Sequence, residues 1–262
     1  SKWMLRMLGA EYRAEVSFAP KITVGKAGSG MHIHMMLEKD GKNIMVEDGV
    51  LTSHARKMMA GIRDLSGALT SFGNTIPTSY LRLVPHQEAP TSICWGDRNR
   101  SVLIRVPLGW NGAMDMIKDA NPADTSDFPE MPSKQTVELR SPDGSADICK
   151  LFAGLAIATE HGLSMKNALE MAEKLYVGYD IFRNSGEAQK RNLLHLPSSC
   201  SESADCLLEK REIFEKDSGF PAGLIDNIVL KLRSYDDRGL SERIYNKSDE
   251  ISRLVKQYLH CG

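Results

Sequence analysis

Apolar residues at Ala55, Met58, Met59, Ile62, Leu65 and Leu69 repeat at the three-and-four spacing of one helix face, and Gly73-Asn74 ends the run. The pattern predicts a core-packed helix over 53–72. Residues 15–24, EVSFAPKITV, alternate enough to predict a strand interrupted by Pro20, and 31–37, MHIHMML, predict a second. Asp40-Gly41 then suits a hairpin turn toward 43–46. The stretch 74–100 is rich in Pro, Thr, Ser and Arg with poor periodicity, and reads as a long loop carrying polar groups. Segments 101–106 and 136–140 are strand-like, and 109–135, with NPADTSDFPEMP, reads as an irregular excursion between them. From Asp147 onward the period turns helical, with helices predicted over 147–178, 203–216, 222–235 and 248–260, broken by the Ser-rich 198–203 and by Gly219-Phe220-Pro221. No internal repeat is visible. The pattern divides into a mixed domain over 1–200 and a helical segment over 201–262 packed on it.

Composition narrows the class. Hydrophobic residues make up 42% and charged residues 26%, the balance of an ordinary globular protein. A formal net charge of -1 gives no bulk attraction to nucleic acid or anionic lipid, so basic chemistry has to come from local clusters of Arg and Lys. No apolar run reaches the length of a membrane span, and SKWMLRMLGAEYRAE lacks the apolar core and small-residue cleavage pattern of a signal peptide, so a cytoplasmic protein is expected. Cys94, Cys149, Cys200, Cys206 and Cys261 are odd in number without CxxC spacing, which points to buried free thiols rather than a disulfide framework or a zinc site. The chain starts at Ser1 inside what reads as structured sequence, the expectation for a segment of something longer.

Four clusters could carry chemistry. In GSGMHIH, 28–34, a glycine-rich approach leads into a strand whose His32 and His34 share a face; the pair suits a place where metal and phosphate meet, or is surface decoration. In SYLRLVPHQEAP, 79–90, Arg82 offers a planar fork to a carboxylate and Glu88 a gate or proton acceptor, or the two form a solvated salt bridge. In DRNRSVLIRVP, 97–107, Arg98, Arg100 and Arg105 repel one another unless anions neutralise them, and phosphate is an obvious candidate. Single-stranded nucleic acid would need interleaved aromatics, and Trp95 is the only one nearby. In VELRSPDGSAD, 137–147, Glu138 and Arg140 project from one strand face, to serve a metal and an anionic substrate or to bridge each other. Together these are the residues of a site joining metal, triphosphate and a carboxylate.

The order and spelling of the four pieces resemble the glutamine synthetase family: GSGMHxH, then SYxRLVPxxEAP, then a DRNRS segment with xIRxP, then ExRxPD, starting from SFAPK at 17–21. The resemblance implies an α+β fold, a curved, mostly antiparallel sheet backed by helices with a helical C-terminal tail. It implies ATP-dependent ligation of ammonia to the γ-carboxylate of glutamate through γ-glutamyl phosphate, with Mg²⁺ or Mn²⁺, in a homo-oligomeric ring. Position by position, His32 and Glu138 match metal ligands; His34, Arg100 and Arg105 match phosphate contacts; Gly28, Arg82 and Arg140 match the binding of glutamate; Glu88 matches the flap glutamate, which closes the site and takes a proton from ammonium. Glu88 and Arg100 are the catalytic candidates.

Departures from the family pattern matter as well. Ala27 stands where Asn helps to bind glutamate, Met36 where a Ser near the nucleotide is common, and His86-Gln87 where a Gly-aromatic pair flanks the flap glutamate. Leu194 replaces the Tyr adenylylated in some bacterial members, which implies that this control is lacking. The E-x-E carboxylates of the family precede SFAPK, and residues 1–17 do not supply them. Two alternatives follow: γ-glutamylation of a larger amine, or a catalytically silent family member.

Overall fold

Three strands bring the polar clusters together. β1 (Ile33–Met35), β6 (Trp95–Asp97), β7 (Ile104–Val106) and β8 (Val137–Leu139) form one sheet in the order β1-β8-β7-β6. β1 and β7 flank β8 antiparallel, whereas β6 runs parallel to β7. The computed structural model describes residues 1–23, 26–84, 89–109, 119–123, 133–184, 191 and 193–261.

Side chains alternate across each strand. Val137, Leu139, Ile104 and Val106 are buried on the face that meets the helices, and Ile33 and Met35 pack against the same core. That leaves His34, Arg105 and Glu138 for the opposite face. The register sets them in one row, His34 opposite Glu138 and Glu138 opposite Arg105.

Two hairpins follow β1. β2 (Glu38–Lys39) pairs with β3 (Lys42–Asn43), and β4 (Val46–Glu47) with β5 (Val50–Leu51). The two-residue loops Asp40-Gly41 and Asp48-Gly49 have positive φ throughout (52° and 75°, 48° and 78°), the backbone of a type I′ turn.

Behind the sheet, α2 (Ser53–Asp64) and α3 (Ser66–Gly73) divide the helix expected over 53–72. The break is at Leu65, whose φ of -101° and ψ of 5° depart from the helix while its buried side chain keeps the apolar face continuous. The run expected over 147–178 divides likewise into α5 (Ile148–Ser164) and α6 (Ala168–Lys174), because Met165 turns extended at ψ 129°. α2 and α5 cross at glycines: a Cβ on Gly61 would lie 2.0 Å from the Ala158 carbonyl oxygen, and one on Gly162 2.2 Å from that of Lys57.

Two expectations need correction. Residues 15–23 form no strand, and Val24 is outside the described residues. Pro20 has no N–H to give a ladder, and its carbonyl instead accepts the Ser29 N–H while Phe18 lies closely over Gly144. The expected loop 74–100 contains α4 (Pro77–Arg82) and β6. Pro77 at the first helical turn is the start signal that the weak periodicity obscured. Most of 109–135 is outside the described residues.

The C-terminal helices are α7 (Cys200–Glu209), α8 (Arg211–Glu215), α9 (Ala222–Arg233), α10 (Leu240–Arg243) and α11 (Ser248–Gln257), and α1 (Lys2–Glu11) precedes the whole. One apolar core joins α2 and α3 to α7 and α9, with Phe72, Phe214 and Phe220 in mutual ring contact. Among the described residues no helix is long and apolar enough to cross a membrane. All five cysteines are free, but only Cys94 and Cys200 are buried; Cys149 is exposed, since its place in the first turn of α5 faces outward.

Candidate active site

Glu138 is fully buried at the centre of β8, a position where an unpaired carboxylate is expensive. Its partners come from β7 and from the residues just before β1 and just after β8. The His32 Nδ1 lies 2.6 Å from Oε1 and the Arg140 Nη1 3.3 Å from the same oxygen, while the Arg105 Nη2 lies 2.5 Å from Oε2. His34 Nε2 stands 4.0 Å from Oε2, and its Nδ1 bonds the Thr136 hydroxyl at 3.0 Å. Burial alone pushes the Glu138 carboxyl up, but the hydrogen bond from His32 and the charges of Arg105, His32 and Arg140 outweigh it and hold it below the usual carboxylate range. Glu138 is therefore an anion framed by two guanidinium groups and an imidazole.

A second layer supports Arg140. Arg82, at the end of α4, is buried and donates from Nη1 to the Ser141 carbonyl (2.7 Å) and from Nη2 to the Arg140 carbonyl (3.1 Å). Its guanidinium thus pins the strand that carries Glu138 and Arg140. The glycine loop lies against it: a Cβ on Gly28 would meet the Arg82 Cγ at 2.9 Å, and one on Gly30 would meet the Arg82 Nη2 at 2.3 Å and the His32 Nε2 at 3.2 Å. Only glycines let this backbone approach so closely. Asp143 is buried and braces the turn after β8, accepting from Asn74 Nδ2 at 2.7 Å and from the Ser145 N–H at 2.9 Å. Burial pushes its carboxyl up.

The structure brings together His32, His34, Arg105, Glu138 and Arg140, with Arg82, Gly28 and Gly30 directly behind. Arg100 is exposed, near enough for its charge to lower the Arg140 pKa after the larger effects of burial, Glu138 and Arg105. Glu88 lies outside the described residues, so a salt bridge to Arg82 lies outside them too. Glu138 and Arg140 do bridge each other, as the plainer expectation held, but the Arg105 guanidinium and the His32 imidazole share the carboxylate. Three supporting residues escaped the sequence reading. Lys21, buried with its Nζ donating to the Lys26 carbonyl, and Asp143 both lie inside quoted motifs, whereas Thr136 could have been found by its position two residues before Glu138.

Several polar atoms here lack hydrogen bonds: Glu138 Oε2, Arg105 Nε and Arg140 Nε are buried without a partner of good geometry. A buried carboxylate held ionised, with one oxygen free of hydrogen bonds and an imidazole at the other, suits two ligands of a divalent cation. Among the described residues no group of three His, Cys, Asp or Glu is placed to hold a metal, so further ligands would have to come from elsewhere. The two unsatisfied Nε–H groups suit an anion.

Fold and site together define an α+β protein whose open sheet face presents arginine and imidazole around a buried carboxylate. The family described as "Glutamine synthetase, catalytic domain" matches residues 1–231. The chain belongs to the glutamine synthetase family. It is 31% identical over 216 residues to a glutamine synthetase of Pyrococcus abyssi, covering 82% of this chain and 43% of that protein. With a glutamine synthetase of Pyrococcus furiosus the identity is 32% over 219 residues, 83% of this chain and 44% of the relative. The chain thus spans less than half the length of these relatives. A Plasmodium falciparum glutamine synthetase shares the fold at a TM-score of 0.67 and 21% identity, over 93% of this chain and 52% of that one. A structure described as a novel glutamine synthase homolog aligns at a TM-score of 0.66 and 21% identity, over 97% of this chain and 50% of its own.

Proposed function

We propose that this chain contributes the phosphate- and metal-facing part of an active site that joins ammonia to the γ-carboxylate of glutamate, using ATP and passing through γ-glutamyl phosphate. The observation that carries the reading is the buried, ionised Glu138 held between His32, Arg105 and Arg140. Family membership supports the same reaction class.

His32 and Glu138 would hold a Mg²⁺ or Mn²⁺, which when bound offsets phosphate charge during transfer. His34, Arg100 and Arg105 take the phosphate oxygens of ATP. The transferred phosphoryl group spreads negative charge over three oxygens, and guanidinium donors fixed in advance stabilise that charge without having to reorganise. Arg105 now pairs with Glu138, and a triphosphate gives its unsatisfied Nε–H an anion of its own. Arg140 and Arg82 hold glutamate, with the backbone at Gly28 beside them. Arg82 does so from a guanidinium anchored on the Arg140 and Ser141 carbonyls, which keeps both arginines in fixed positions. Glu88 would take the proton that ammonium must lose before nitrogen attacks the acyl phosphate. The remaining ligands and walls would come from further residues and neighbouring subunits of a homo-oligomeric ring in the cytoplasm.

Phosphate release by the full natural polypeptide that contains this chain tests the proposal. Release should require ATP, glutamate and ammonia together, and Glu138→Gln and Arg105→Gln should each lower it by about 100-fold or more with thermal unfolding still cooperative. Release with a larger amine but not ammonia would move the acceptor. Correctly assembled protein that releases no phosphate with any γ-carboxylate or amine would sink the reading as an enzyme.

A further inference from the structure

The Arg98, Arg100 and Arg105 trio is split by the sheet. Arg105 faces Glu138, and Arg100 lies within electrostatic reach of Arg140. Arg98 instead lines a cavity of about 660 Å³ together with Arg56 of α2, and the active site has no use for either. The cavity's walls include Val50 and Leu51 of the second hairpin and Trp95 and Val106 of β6 and β7. Val106 is adjacent to Arg105, and successive residues of a strand point to opposite faces, so the cavity lies across the sheet from Glu138.

Three features make it a binding site rather than a surface fold. Its volume is that of small-molecule sites, roughly 300–1,000 Å³, and an apolar wall with a few polar groups is their usual lining. Among the described residues, no ion pair or side-chain hydrogen bond reaches the guanidinium of Arg56 or Arg98. Arg98 also has a φ of 53°, the left-handed region that a residue with a Cβ seldom adopts. Its N–H donates to the Val106 carbonyl at 2.8 Å, which ties that backbone to another residue of the cavity wall. Asp97 lines the cavity too, so the charge there is two guanidinium groups against one carboxylate. A balance of one positive charge beside an apolar wall suits a monoanion with an apolar body better than a polyphosphate.

The geometry points to a second ligand site in this cavity, which takes a small organic monocarboxylate carrying an apolar or aromatic body, its carboxylate between Arg56 and Arg98. The guanidinium groups supply charge-assisted hydrogen bonds to the carboxylate. Trp95, Val50 and Leu51 shelter the body. Because β7 carries Val106 on this side and Arg105 on the other, a ligand here touches the strand that builds the phosphate site only from its far face, without entering that site or competing for it.

Calorimetric titration of the full natural polypeptide with 3-phenylpropionate, and with its uncharged amide, tests the site. The acid should bind at one site per chain, and the amide about tenfold more weakly or worse. Arg56→Gln and Arg98→Gln should each weaken the acid by about tenfold, and saturating Mg-ATP should leave its affinity unchanged. Val50→Glu sets a negative charge on an exposed wall residue and should abolish binding, which keeps the test decisive if an arginine variant fails to fold. Absence of binding, equal binding of acid and amide, indifference to these substitutions, or displacement by Mg-ATP would each overturn the proposal. Loss of ATP turnover bears only on the other face.

Discussion

At the scale of single residues, charge placement decides what each group does. Asp64, at the end of α2, is mostly buried, with Lys210 Nζ at 2.9 Å and His161 Nε2 at 3.1 Å on the same carboxylate oxygen. Burial by itself pushes its carboxyl up, but the hydrogen bonds and charges of Lys210 and then His161 prevail and lower it. A carboxylate with a lowered pKa in the fold stabilises the protein above its unfolded value, about 3.9 for Asp, and that stability is lost as pH falls through the folded value. Asp64→Asn should therefore cost about 1 kcal/mol at neutral pH, after discounting for partial exposure, and nothing in strong acid. Urea midpoints of both proteins across the acid range check this, since a gap that persists undiminished at low pH would contradict it. The residues gathered around Glu138 were legible from the spelling of their motifs, whose polar positions stand out even beside buried apolar ones such as Leu103, Ile104 and Val137. Their partners were not. That Glu138 would be shared by His32, Arg105 and Arg140 depends on strand register across three segments that are distant in sequence, and local spacing does not encode register.

At the scale of elements, the chain's punctuation was read unevenly. Asp40-Gly41 announced the first hairpin, and Asp48-Gly49 carried the same signal for the second. The break at Leu65 was hidden because the apolar period runs straight through it. The start of α7 at Cys200 lay inside a Ser-rich stretch that reads as a breaker, although Ser199 with Glu202 three residues on is a capping pattern. Ser199 Oγ does accept the Glu202 N–H at 3.1 Å. The stronger cap is remote: buried Asp237 accepts the N–H groups of Cys200 at 2.7 Å and Ser201 at 3.1 Å, and the Ser201 hydroxyl at 3.2 Å. No local pattern reveals a cap 36 residues away. Asp237→Ala orphans these donors and should destabilise the protein by about 1–3 kcal/mol, read from denaturant unfolding. A loss of a few tenths would mean that water replaces the carboxylate.

At the scale of the whole molecule, the α+β architecture was expected from the resemblance to the family, while the pattern along the chain indicated only a mixed domain with a helical tail, and that helical C-terminal segment shares its core with the rest. Much apolar surface remains uncovered. On α1, Trp3, Met4 and Met7 are 72%, 61% and 52% exposed, and Tyr12 just beyond it is 80% exposed. Phe152 of α5 is 53% exposed beside β1, whose only sheet partner among the described residues is β8. Patches of this kind on a globular chain mark contact surfaces, and an open strand edge invites pairing. The 262-residue chain alone should self-associate as concentration rises, seen by sedimentation velocity as species heavier than 29.1 kDa. Trp3→Ser with Met7→Ser should reduce that association; a monomer at every concentration would show these surfaces to be inert.

In the proposed function, the guanidinium groups around Glu138 receive a metal-bound triphosphate while those behind the sheet do not. Titration of the full natural polypeptide with Mn-ATP tests it most directly. Arg105→Gln should weaken binding by about tenfold or more, and Arg98→Gln should leave it unchanged. Equal effects of the two substitutions, or no binding of Mn-ATP by the unsubstituted protein, would contradict the account.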